Sequence, residues 1–193
     1  MSNPTLQIII ASTRPGRVGP SVAAWIYERA VAHGGFDVEL IDLAEINLPM
    51  FDEPKHPRFG EYVHQHTRDW SALIARGDAY ILVMPEYNYG FNAALKNALD
   101  YLNKEWAGKV VGFASYGGVA AGTRAVQMLK PVLGALRLVA VNDAVHIPFV
   151  AQFLDAERKL QPNEIMETAV TVMLDEVLAW STALQPIRER AAR

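Results

Sequence analysis

Apolar residues along the chain gather into five short runs: LQIIIA (6–11), FDVELID (36–42), AYILVM (79–84), KVVGFAS (109–115) and LRLVAV (136–141). Each is strand-sized and rich in β-branched residues. Between them the apolar positions recur at helical spacing. Val22, Ile26 and Ala30 form one such set, and Val63, Trp70, Leu73 and Ile74 a second. Leu95, Ala98, Leu99 and Leu102 repeat the pattern after position 91, as do Ile165, Ala169, Val172, Met173 and Trp180 over about 163 to 184. A further helix is predicted over 122–134, with a kink or break at Pro131, because a proline inside a helix costs roughly 3 kcal/mol. Strands that are apolar throughout and alternate with helices predict a parallel sheet covered on both faces, an α/β doubly wound domain.

Length and composition narrow the possibilities. A chain of 193 residues, 51% of them hydrophobic, fits one domain over 1–193 with a substantial core. The closing PIRERAAR, from 186, reads as a frayed, solvated end. A net charge of -3 with scattered lysines and arginines offers no basic stripe for nucleic acid, so small-molecule partners are expected. With no cysteine, disulfides, thiolate catalysis and cysteine-ligated metals are excluded. The opening MSNPTLQIIIASTR lacks a cationic leader and cleavage site, and no apolar run approaches ~20 residues, which predicts a soluble cytoplasmic protein.

In a doubly wound sheet a ligand sits beyond the carboxyl ends of the strands, where strand order reverses. That directs attention to the loops at 11–21, 85–92 and 115–122, which are also the chemically rich ones. ASTRPGRVGPS matches neither GxGxxG nor GxxxxGK[ST]. Its hydroxyls at Ser12, Thr13 and Ser21, the charges of Arg14 and Arg17, and backbone N–H groups around Gly19 at a helix start make an anion nest suited to a terminal phosphate. The alternative is a plain βα turn with solvated arginines. In PEYNYG, Tyr87 and Tyr89 offer aromatic faces and Asn88 offers donors and acceptors for a flat heteroaromatic ring. Glu86 either accepts from a ring N–H or caps the following helix, and Asn88 or Asn92 is an equal candidate for that cap. SYGGVAAG carries paired glycines that let a ligand approach the backbone, or simply turn the chain into a helix.

With STRPGR after the first strand, PEYN after the third, and SYGG with AGTRA after the fourth, the chain resembles the NADPH-dependent FMN reductase family of flavodoxin-like proteins, which includes bacterial quinone and chromate reductases. IDLAEINLP and LKPVLGALRLVAV extend the likeness over most of the chain. The resemblance implies a three-layer α/β/α sandwich with a five-stranded parallel sheet of order 2-1-3-4-5 and FMN bound non-covalently at the carboxyl edge. It implies that Ser12, Arg14, Arg17 and Ser21 with neighbouring amides hold the phosphate. Pro85, Glu86, Tyr87 and Asn88 would line the isoalloxazine, and Ser115, Tyr116, Gly117 and Gly118 would border its other edge. Ala11 departs from the glycine usual at that strand end and bears on the path of the first loop.

The implied activity passes hydride from NADPH (or NADH) through FMN to a quinone, flavin or similar small acceptor, in a homodimer or homotetramer. The apolar face of 95–102, with Tyr101, is a candidate interface or ordinary sheet packing. Because the cofactor carries the chemistry, no catalytic side chain is expected. An electron carrier of flavodoxin type is the rival, and it would oxidise NADPH poorly without a reductase. A serine hydrolase using Ser115 and His146 is disfavoured by Phe113, which stands where a nucleophile elbow needs glycine. His64 and His66, two apart on a predicted helix, point to different sides and do not suggest a metal site. Asp42 reads as a loop-starting carboxylate, and Arg124 as a solvated arginine or one that reaches a cofactor phosphate or a partner subunit.

Overall fold

The computed structural model describes residues 3–191. Strands β1 (Thr5–Ile10), β2 (Asp37–Asp42), β3 (Ala79–Pro85), β4 (Val110–Gly117) and β5 (Val139–Ala140) form a parallel sheet in the order 2-1-3-4-5, as the resemblance implies. A sixth segment, β6 (Val145–Pro148), also pairs with β4. Helices α1 (Gly19–His33), α3 (Gln65–Ala75), α4 (Ala93–Asp100), α5 (Thr123–Ala135) and α6 (Glu164–Ala191) cover the sheet, and a short α2 (Leu43–Ile46) follows β2.

Alternation along the strands divides the core between the two faces. Leu6, Ile8 and Ile10 with Ile81 and Val83 meet Val22, Ile26, Met173 and Val177 of α1 and α6. Ile9, Leu82, Met84 and Phe113 meet Trp70, Leu95, Leu99 and Leu129 of α3, α4 and α5. The same alternation continues past the last ladder bonds, so the side chains at the carboxyl ends of β1 and β4 are aimed by the strands themselves.

The expected fifth strand, 136–141, is mostly a turn. Leu138 N–H returns to Leu133 O at 3.0 Å and Arg137 adopts φ +61, which closes the end of α5 and leaves Val139–Ala140 to pair. The edge then bulges. Gly112 and Phe113 of β4 lie between the pairs Val111–Ala140 and Ala114–Val145, opposite the four residues 141–144. Pro131 sits inside α5 without breaking it. At the chain's end α6 continues through Pro186 to Ala191 where the sequence predicts fraying. Arg188 anchors its last turns by donating to Ser181 O at 2.7 Å and pairing with Asp78 at 3.2 Å.

The apolar face of α4 is spent inside the chain: Leu95, Ala98, Leu99, Tyr101 and Leu102 are all buried. Tyr101 and Asn97 strap down the segment before α3, with Tyr101 Oη donating to Asp52 at 3.0 Å and Asn97 donating to Pro49 O at 2.7 Å. Of the two readings offered for this face, packing within the chain is the one observed. His64 and His66 also differ from the sequence reading. His64 lies in extended backbone just before α3, the two imidazoles stack 5.1 Å apart, and His66 reaches Asp52 at 3.0 Å. Among the described residues no cluster of three or more ligand-type side chains is placed to hold a metal.

Candidate functional site

Beyond Ile10 the first strand keeps one more ladder bond, Ala11 N–H to Val83 O at 2.9 Å, and then turns. Gly16 takes φ +69 at the loop's outer bend. Arg17 folds back beneath the loop, donating to Ser12 O at 2.7 Å and gripping Asp42 through two bonds of 2.7 and 2.5 Å. Asp42 also accepts from Ala44 N–H at 2.9 Å, so the pair ties the loop to the start of α2. A bidentate pair with side chains only 18% and 11% exposed is a positioning element. Arg14, Thr13 and Pro15, in contrast, are exposed at the loop's surface. Asp42→Ala is expected to lower stability by about 1–2 kcal/mol, because Arg17 is left half-buried without its partner. In urea denaturation the double variant with Arg17→Met should cost less than the two single changes added together.

The start of α1 has no side-chain cap and no acidic residue in its first turn. Among the described residues, the N–H groups of Ser12, Thr13, Arg14, Gly16, Val18 and Gly19 reach no acceptor. The helix dipole and these donors favour an anion at one point. From below, Tyr116 completes the cradle. Its side chain leaves β4 on the α1 face, the residue is 5% exposed, and its hydroxyl has no partner. Burial and the neighbouring Tyr87 push its pKa up, so it remains an O–H donor. A Cβ on Gly19 would stand 3.1 Å from that hydroxyl and 2.9 Å from Ile10 Cγ2, which is why a glycine opens the helix.

The second loop is a two-residue hairpin. Tyr87 and Gly90 exchange N–H···O bonds of 2.9 Å each, with Asn88 and Tyr89 at φ +49 and +70 as the two turn residues. Two positive φ values in succession define the turn that best matches strand twist. Tyr87 Oη lies 2.9 Å from Ser12 Oγ and locks this loop to the first. Asn92 locks it again, donating to Ala11 O at 2.7 Å while its Oδ1 stays buried and unpartnered. Neither Asn88 nor Asn92 caps α4 by a side chain. Glu86 caps a different helix from the one expected: its carboxylate accepts from Arg124 N–H and pairs with the Arg124 guanidinium, both at 3.2 Å, at the start of α5. The same guanidinium lies 4.2 Å from the centre of the Tyr89 ring. Arg124 is therefore a clamp between two loops.

In the third loop the side chains of Ser115 and Tyr116 are buried on opposite faces of the sheet, and the chain reaches the surface from Gly117 to Ala120, with Val119 the most exposed. Of the four residues expected to border a ring edge, Ser115 and Tyr116 keep their side chains inside the fold. Ser115 Oγ donates to Ala121 O at 2.8 Å and lies 2.7 Å from His146 Nδ1. The Ser115–His146 pair exists, but its single hydroxyl proton is committed to Ala121 O, so His146 is the donor to serine. A fully buried serine hydrogen-bonded in this way is no nucleophile. Burial and nearby Lys130 hold the His146 pKa below its ordinary value. The contact holds the glycine loop, in which Ala121 (φ +53) and Gly122 (φ +84) are both left-handed, against the edge strand.

Sequence reasoning named the residues of this site but not the pairings among them. Ser12 meets Tyr87 and Gly117 lies beside Glu86, while Asn92, the Arg17–Asp42 pair and the clamp of Glu86 by Arg124 depend on partners distant in the chain. No helix among the described residues is long and apolar enough to cross a membrane.

Comparison with known proteins agrees with this geometry. The family model described as NADPH-dependent FMN reductase matches residues 4–152. An NAD(P)H-dependent FMN reductase of Schizosaccharomyces pombe is 42% identical over 137 residues, covering 70% of this chain and 68% of the relative. One from Nectria sp is 33% identical over 152 residues, with 76% of each protein covered. Among solved structures, the flavoenzyme NAD(P)H:(acceptor) oxidoreductase FerB of Paracoccus denitrificans superposes with a TM-score of 0.73 at 18% identity, covering 93% of this chain and 98% of that one, which supports the shared fold.

Proposed function

The chain belongs to the NADPH-dependent FMN reductase family, and from that premise we propose that its three carboxyl-edge loops hold FMN with the phosphate at the start of α1. The protein is an FMN-dependent NAD(P)H oxidoreductase. When bound, FMN would supply the redox chemistry between a nicotinamide and a small acceptor, and the loop residues would hold and orient it. The observation that carries the placement is the cradle of unpaired N–H groups above the orphaned Tyr116 hydroxyl. It presents donors alone, as a phosphate requires.

In this reading the hydroxyls of Ser12, Thr13 and Ser21 and the charge of Arg14 add to the N–H groups of the cradle. Arg17, held by Asp42 and Ser12 O, shapes the loop and adds its charge near the cradle. Pro85, Tyr87 and Asn88 line one side of the ring, and the backbone of Gly117 and Gly118 the other. Pro85 suits the end of a central strand because its missing N–H falls where the ladder closes. Quinones, flavins and azo compounds are the acceptors proposed, with the cytoplasm as the compartment. A dimer would use a surface other than the apolar face of α4, which is filled from within the chain.

Titration of purified protein with FMN tests the placement directly. Replacing Tyr87 and Asn88 together with alanine is expected to weaken FMN binding by about tenfold or more, equivalent to ~1.4 kcal/mol, while the circular dichroism spectrum stays native. Undiminished affinity would put the ring elsewhere. NADPH consumption in the presence of a quinone distinguishes the enzyme from a carrier, which would bind FMN yet turn over slowly.

A further inference from the structure

We propose that Tyr89 and Arg124 form the acceptor platform of this enzyme and that it favours planar acceptors carrying an anionic substituent. The proposal rests on the flavin-reductase reading above and extends it to substrate class.

Tyr89 is a costly residue at its position. With φ +70 it occupies the left-handed region, where a bulky side chain is an outlier and the strain is of order 1–3 kcal/mol. Glycine or asparagine would meet the turn's need more cheaply. The tyrosine gains little packing in return, since it is 63% exposed. Strain borne by an exposed aromatic residue, two positions from the tyrosine that locks the first two loops, points to a task outside folding.

The ring is nevertheless held in place. The Arg124 guanidinium stands 4.2 Å from its centre, and Arg124 is itself fixed by the two contacts to Glu86. Tyr89 stays largely open to solvent, so it has surface left on which a second planar group can stack. Charge is layered in depth as well. The Glu86 side chain is 10% exposed and the Arg124 side chain 43%, so the carboxylate lies behind and the cation faces outward. An approaching molecule meets an aromatic surface beside the positive end of an ion pair, an arrangement that suits a flat ring bearing a sulfonate or carboxylate. Met128, 56% exposed one turn further along α5 and next to Gly90, extends the apolar part of the platform.

The test needs no turnover. FMN-loaded, oxidised protein without reductant is titrated calorimetrically with anthraquinone-2-sulfonate and with uncharged 2-(hydroxymethyl)anthraquinone. The wild type is expected to prefer the sulfonate. Arg124→Gln, titrated in the same FMN-saturated state, should cut that preference by about 3–5-fold, the range of one partly exposed charge. Tyr89→Asn should weaken both probes about tenfold, as loss of an aromatic stacking partner does, with a melting temperature equal to or above wild type because the turn is relieved. A preference that survives Arg124→Gln overturns the proposal. So does Tyr89→Asn binding both probes at full strength, or an Arg124→Gln effect confined to NADP+ titrated in the same way. Failure of the wild type to bind FMN would instead overturn the underlying flavin reading.

Discussion

Gly122→Val is expected to lower stability by about 3 kcal/mol or more and to abolish FMN binding, the most severe effect of any single change in the three loops. A Cβ at this position would stand 2.7 Å from Ser115 Cβ, 2.8 Å from Ser115 Oγ and 2.9 Å from the backbone nitrogen of Tyr116. None of these is the far end of a flexible side chain, so the loop itself has to move. The residue also sits at φ +84, which a β-branched side chain does not tolerate, and it is the residue from which α5 starts. Moving it releases Ala121 from Ser115 and tilts the helix end where Glu86 caps Arg124. Gly118→Ala is the control. A Cβ there meets nothing within 4 Å, and its backbone is not in the left-handed region, so its urea midpoint should stay within ~0.5 kcal/mol of wild type. Equal costs for the two glycines would show that the close approach at Gly122 is not what shapes the loop.

That contrast illustrates which parts of the molecule sequence alone makes legible. Alternation in LQIIIA and AYILVM places their side chains on two faces, because a strand's period is fixed by backbone geometry and does not depend on partners. The donor-rich character of STRPGR was equally readable. Its wiring was not: the Arg17 guanidinium is held by Asp42, 25 residues away at the end of the neighbouring strand. Glu86 and Arg124 are 38 residues apart and Ser115 and His146 are 31 apart, and both pairs exist only because β3, β4 and the edge strand are adjacent in the sheet. Local patterns carried the identity of the loops, while pairing across the sheet decided which charged groups were left to meet a ligand. The edge strand was misjudged for a related reason, since LRLVAV has strand composition but its first residues are needed to close α5.

The stability of the protein is expected to rise by about 2–3 kcal/mol between pH 8 and pH 10, and Lys109 is the source. Lys109, buried at the start of β4, donates to Ile74 O at 2.9 Å, Ala75 O at 3.2 Å and Tyr80 Oη at 3.0 Å, and so caps the C-terminal end of α3. Three acceptors use its three donors, and the negative end of the helix dipole favours a cation. Burial opposes the charge more strongly. Desolvation lowers the pKa to about 8, with Asp78 and Glu105 holding it up and Arg188 pushing it down. Below that value native and unfolded chains both carry the proton and the desolvation penalty is present in full. Between about 8 and the ordinary lysine value the unfolded chain still binds a proton that the native chain has released, so unfolding becomes less favourable as pH rises. Each unit of the window is worth about 1.4 kcal/mol. Above pH 10 the gain is opposed by Tyr80, whose burial raises its pKa so that the native state keeps a proton the unfolded state loses. Guanidinium unfolding at pH 7, 8, 9 and 10 measures the rise, and Lys109→Met should flatten it. A wild-type curve already level over that range would mean that Lys109 keeps its proton in the fold, with the α3 carbonyls and Asp78 outweighing its burial.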